Sequence, residues 1–148
     1  MIETTIANQL RQGRLVAIRP QGRSMRPLLY GGKATVIVAP LKEIPTVGDL
    51  LLYLRTTDNQ YILHRLIGIE KDTYCLQGDN RLEQEECPKD RVIGKVVVIY
   101  RNGKEVPLDS WLYKLYTWFW CHTPFARKLY KKIHSIKRSI NRALESNY

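Results

Sequence analysis

Apolar positions along the chain change period twice. In residues 2–12 (IETTIANQLRQ), Ile2, Ile6 and Leu10 fall four apart, so the segment predicts a short amphipathic helix. After Gly13 that period gives way to short apolar runs punctuated by Gly, Pro and Asp. Six of them read as strands, at 14–20, 33–40, 49–55, 61–70, 73–78 and 91–101, because Tyr and β-branched residues fill several of them and turn-forming residues bound them. YGGK, TTDNQ, EKDT and RNGK supply the turns, the last with an Asn-Gly pair that favours a tight hairpin. Residues 1–106 thus predict a small, mainly β domain.

From Pro107 the helical period returns. Asp109 and Ser110 are suited to cap a helix that sets Trp111, Leu112, Leu115, Trp118 and Phe119 on one face. Pro124 interrupts it. Phe125, Leu129, Ile133, Ile136, Ile140 and Leu144 then recur at spacings of three and four, with basic residues between them, over about six turns. Residues 107–148 are therefore expected to form an amphipathic helical extension, with His122 and His134 on its surface. Its aromatic stripe has two open roles. It either packs against the β domain as a helical hairpin, or lies in a membrane interface with Lys and Arg toward the headgroups. RNA is a third basic-patch partner, but no RNA-binding motif accompanies it, so nucleic acid is disfavoured.

Charge sharpens this division. The 148 residues carry 24 Lys and Arg against 14 Asp and Glu, a formal charge of +10. Residues 109–148 alone hold eight basic and two acidic residues. So basic a tail points to an acidic partner, an anionic membrane surface among them. With 44% hydrophobic residues the chain is long and apolar enough for one folded domain, which excludes disorder throughout. Cys75, Cys87 and Cys121 are odd in number and lack CxxC spacing, so free thiols are expected rather than a zinc site or disulfide framework. The N-terminal segment lacks the pattern of a secretory signal, and no run of about 18 apolar residues predicts a transmembrane helix. The expected location is cytoplasmic, either free or peripheral on the cytoplasmic membrane face.

Candidate chemistry centres on PQGRSMRPLLYGG, residues 20–32. A serine in a Gly- and Pro-flanked loop is by itself a turn residue. Four later segments change its meaning: GDLLLY (48–53), YILHRLIGI (61–69), LQGDNR (76–81) and DRVIGKV (90–96). This ordered set, over roughly residues 15–98, resembles the signal peptidase I superfamily of serine proteases. That superfamily has a Gly-x-Ser-Met-x-Pro nucleophile loop, a Gly-Asp strand, a strand bearing the base before an Arg, and a Gly-Asp-Asn loop. Histidine at the base position resembles the Ser-His branch found in the endoplasmic reticulum and archaea. The resemblance implies a small signal-peptidase-like or LexA-like β domain with Ser24 as nucleophile, His64 as general base and Asp79 as orienting or supporting carboxylate. Gly22, Arg23 and Met25 would flank the substrate or oxyanion region, with the Ser24 N–H as one oxyanion donor. The chemistry is coherent, because a serine hydroxyl needs an adjacent base and neutral imidazole serves near pH 7. The branch's second acid has no matching Asp; RLEQEECPKD offers Glu83, Glu85, Glu86 or Asp90, with Glu85 and Glu86 the third-acid candidates. Arg23 departs from the small residue many signal peptidases place before the serine. No metal or cofactor is implied.

The expected activity is serine endopeptidase cleavage of a leader- or signal-type peptide, bound as an added strand. Two alternatives remain open. One is a catalytically silent β binding module attached to membrane or nucleic acid by its basic tail. The other is a LexA-like self-cleaving regulator, which needs a lysine base such as Lys33, Lys71 or Lys95 and usually carries a DNA-binding domain.

Overall fold

In the computed structural model, residues 2–146 are described, with side chains from Ile6 onward. Chain order runs α1 (Ile2–Arg11), β1 (Val16–Ile18), β2 (Ala34–Pro40), β3 (Leu50–Leu54), β4 (Tyr61–Ile69), β5 (Thr73–Gln77) and β6 (Glu85–Pro88). A short 3-10 turn, Lys89–Arg91, then leads to β7 (Val92–Arg101), β8 (Lys104–Val106), α2 (Trp111–His122) and α3 (Pro124–Glu145). The protein is mainly β. Its antiparallel sheet has the order β1-β2-β7-β3-β4-β5-β6, with β8 added to β7. All six predicted strands form. The pattern missed β6, whose Glu85-Glu86-Cys87-Pro88 sequence lacks an apolar run, and β8, which is three residues long. The RNGK turn does close a hairpin: Asn102 and Gly103 both adopt positive φ, and Arg101 pairs with Lys104.

The core forms in two clusters, and β3 separates them. Leu50 and Leu52 pack with Leu10, Met25, Leu29, Val36, Val38, Leu63 and Ile99, whereas Leu51 and Tyr53 pack with Leu66, Tyr74, Leu76, Cys87 and Val92. Alternate side chains of a strand point to opposite faces, so the unbroken run LLLYL marks a strand covered on both sides. The first cluster takes in Leu10 of α1. Ile2, the first residue of the predicted helical stripe, has its side chain outside the described residues.

The C-terminal helices form as expected, and they do not pack their aromatic stripe against the β domain. Ser110 caps α2 as predicted, its Oγ accepting from Tyr113 N at 3.2 Å. Pro124 opens α3, where a missing N–H costs nothing. Yet the five α2 residues of the predicted apolar face are all exposed, Trp111 to 71% and Phe119 to 49%. The opposite face, with Tyr113, Tyr116, Thr117 and the buried Trp120, turns toward the sheet. Gly48, just before β3, makes this approach possible. It combines φ +107° with a spacing at which a Cβ would lie 2.7 Å from the Thr117 methyl group. The helices are thus built onto the β domain and reach its most buried charges.

Candidate active site

Adjacent residues of β4, His64 and Arg65, organise two separate polar networks. His64 pairs in register with Leu51, which places Tyr53, two residues along β3, next to the imidazole. Tyr53 Oη lies 3.1 Å from His64 Nδ1 and donates to Glu85 Oε2 at 2.5 Å. A phenol has one proton. With it given to Glu85, the oxygen can only accept from His64, which assigns the Nδ1–H tautomer and leaves Nε2 with a free lone pair. Glu85 itself stands 3.8 Å from Nδ1, so Tyr53 relays its influence. Burial, reinforced by Glu85, pushes the Tyr53 phenol above its usual range and keeps it a donor. Burial also depresses His64, from 6.5 to about 4, against the opposing pull of Glu85. The ring is therefore neutral near pH 7, as a general base must be.

On the far side of the ring, Nε2 faces Gly78. A Cβ at this glycine would lie 3.2 Å from His64 Nε2 and 2.6 Å from the Ser24 carbonyl oxygen. Gly78 is thus the point where the Ser24 loop and the imidazole meet, and only the absence of a side chain lets them do so. Asn80 fastens the loop. Its N–H donates to Ser24 O at 2.8 Å and its Nδ2 to Arg23 O at 3.0 Å. Ser24 Oγ makes no hydrogen bond among the described residues, and His64 Nε2 has no protein partner there and is not sealed from solvent. The Ser24 and Met25 N–H groups donate to no protein acceptor among the described residues.

Beside Ser24 opens a cavity of about 350 Å³, lined by Gly22, Met25 and Leu29 and by Ile18, Val38 and Leu63 among others. Gly22 and Met25 both line it, and Met25 is buried in the first core cluster. Arg23 points to solvent, so its size does not crowd the serine.

Asp79 makes no hydrogen bond to His64 among the described residues. It is fully buried and accepts from Arg65 Nε and Nη2 at 2.7 and 2.8 Å and from Tyr116 Oη at 2.7 Å. Arg65 Nη1 adds Gly48 O at 2.8 Å and Thr117 Oγ1 at 3.2 Å. Burial opposes the Arg65 charge, but Asp79 outweighs it and holds the guanidinium above its ordinary range. Asp79 is therefore a brace between the sheet and α2, and the carboxylate on the Nδ1 side of His64 is Glu85. Glu86 alternates to the other side of β6, where it pairs in register with Cys75 and is exposed; Glu83 and Asp90 are exposed as well. Among the lysines, Lys33 and Lys71 are exposed and Lys95 pairs with Asp49 at 3.5 Å. The three cysteines are free.

Against known proteins, the chain matches no family model and no curated sequence.

The sequence pattern missed Tyr53 and the tail's Tyr116, and it gave Arg65 and Asn80 only as motif positions without a role. Tyr53 has a signal only once register is known: it lies on His64's face when β3 and β4 are aligned Leu51 to His64. Arg127 of α3 also reaches the site's edge. It is buried, and its Nε approaches Gly78 O at 3.4 Å.

Proposed function

We propose that the protein is a serine endopeptidase resembling signal peptidase, with Ser24 as nucleophile and His64 as general base. The observation that carries this reading is the meeting of the Ser24 loop and His64 Nε2 at Gly78, with Nδ1 tied by Tyr53 to Glu85. The imidazole is held in the one tautomer able to take a proton from the serine. In the first step Ser24 Oγ bonds to the substrate carbonyl carbon while its proton passes to Nε2. The developing oxyanion is received by backbone N–H groups at Ser24 and Met25, and such donors contribute on the order of 3 kcal/mol each in other hydrolases. Collapse breaks the C–N bond, and the Nε2 proton leaves with the amine. Water then repeats the sequence on the acyl-enzyme, its proton taken by Nε2 and returned to Ser24.

The third member of this site is the Tyr53–Glu85 pair in place of an aspartate. The apolar cavity beside Ser24 would receive a side chain of an extended peptide near the scissile bond. The resemblance favours a leader- or signal-type peptide as substrate. Incubating candidate leader peptides with wild-type protein and with Ser24→Ala and His64→Ala tests the proposal. Each variant is expected to lose cleavage by about 10³-fold or more. Equal cleavage by wild type and Ser24→Ala would falsify it, and retention of peptide binding without any turnover would leave a silent binding module.

A further inference from the structure

Of the 18 exposed large hydrophobic side chains among the described residues, 11 lie on α2 and α3. The α2 stripe includes Trp111, Trp118 and Phe119, exposed to 71, 54 and 49%, and the α3 stripe runs from Phe125 to Leu144 with every apolar member at least 45% exposed. Solvent-exposed stripes of this extent are uncommon on a chain that stays alone in water. From Ser135 to Glu145 every residue of α3 is exposed, so half of this helix gains nothing from the body of the protein. A helix segment that short is marginal in water unless something covers its apolar face. No helix of the described residues is long and apolar enough to cross a membrane.

Charge selects the covering surface. Eight basic residues against two acidic ones lie between Asp109 and Tyr148, and Lys132 and Lys137 border the α3 stripe on its two sides at 3.6 residues per turn. A second copy of the tail would bring the same positive charge to the contact. A nucleic acid would match the charge and leave Trp, Leu and Ile side chains in water. A surface that is apolar just below and anionic above matches both. We propose that α2 and α3 form an interfacial anchor that seats the chain on an anionic lipid bilayer, with both apolar stripes sunk at the headgroup–acyl boundary. This anchor does not depend on Ser24 being a nucleophile. It is also rigidly tied to the β domain, because the hidden face of α2 holds Asp79 and Arg65 through Tyr116 and Thr117.

The test is flotation of the full chain on phosphatidylcholine vesicles with and without phosphatidylglycerol, at low and high salt. Binding to the anionic vesicles is expected to exceed binding to neutral ones by at least about tenfold and to weaken with salt. Trp111 and Trp118 should shift their emission to the blue on binding. Ile136→Glu with Ile140→Glu, at positions exposed to 51 and 54%, should abolish flotation while leaving thermal unfolding of the free protein unchanged. Failure to float, flotation indifferent to lipid charge, or a soluble dimer dissolved by the same two substitutions would each overturn the anchor. So would RNA binding by a chain that ignores vesicles.

Discussion

His64 and Arg65 are neighbours on one strand, both buried, and they meet burial in opposite ways. Arg65 keeps its charge because Asp79 grips it with two oxygens and Gly48, Thr117 and Tyr116 complete the network. His64 has its carboxylate one hydroxyl removed and loses its charge. A saturated network braces the fold. An unsaturated one leaves a nitrogen free, and that free nitrogen is what general-base chemistry requires. The difference teaches how a buried carboxylate can be read: Asp79 already accepts three hydrogen bonds from Arg65 and Tyr116 and gives none of its oxygens to the imidazole, whereas Glu85, partly exposed and bonded to Tyr53, stands 3.8 Å from Nδ1.

The strongest way to break this contrast is to remove Arg65. Arg65→Met leaves Asp79 buried and uncompensated, and a loss of about 3–5 kcal/mol is expected in chemical denaturation. The double variant Arg65→Met/Asp79→Leu should regain much of that stability, as well-packed apolar replacements of buried ion pairs often do. If the regained fold also cleaves peptide, Asp79 is a brace; if it folds without cleaving, Asp79 belongs to the chemistry.

A smaller effect comes from pH. His64 binds its proton near pH 6.5 when unfolded and near 4 when folded. Between those values the unfolded chain holds more protons, so stability is fully present above about pH 6.5 and declines as pH falls toward 4. One pKa unit corresponds to about 1.36 kcal/mol, which gives a loss on the order of 3 kcal/mol across the window. Denaturant midpoints of wild type and His64→Gln should diverge with pH in that interval, and parallel curves would remove His64 as the cause. On the proposed mechanism, the same depression would put the acid limb of peptide cleavage near pH 4 instead of 6.5.

The smallest stability change is expected at Tyr53. Tyr53→Phe deletes the hydroxyl that accepts from His64, at a cost of about 1 kcal/mol in unfolding. Its larger consequence is for turnover, because the tautomer is then unassigned. A fall in kcat at unchanged KM, with a displaced acid limb, marks Tyr53 as a positioning residue. An unchanged profile would reduce it to packing. Glu85→Gln, which keeps an acceptor for the phenol, should fall between wild type and Tyr53→Phe.

Much of this molecule was legible in its residues. Short apolar runs bounded by turn formers located six of the eight strands, since β-branching and turn chemistry act locally and need no partner to be recognised. The four ordered segments around Ser24 singled out His64 and the Gly-Asp-Asn loop, and each of the three loop residues has a structural role. Gly78 admits the serine loop, Asp79 grips Arg65 and Asn80 fastens Ser24. The helical tail, its capping serine and its amphipathic stripes were equally plain, because helical period and cap chemistry are written within a few residues.

What only the tertiary structure decided is which groups share a proton or a charge. Register between β3 and β4 brought Tyr53 to His64, and alternation along β6 turned Glu85 toward it and Glu86 away. Neither can be read from spacing along one strand, because pairing is a long-range choice made by the whole core. The orientation of α2 was decided in the same way. Its apolar stripe was the more conspicuous face, but the buried Arg65–Asp79 pair required hydroxyl partners, and Tyr116 and Thr117 supplied them from the opposite side. Hydrophobic period announces an amphipathic helix; the unsatisfied polar groups beneath it determine which face goes down.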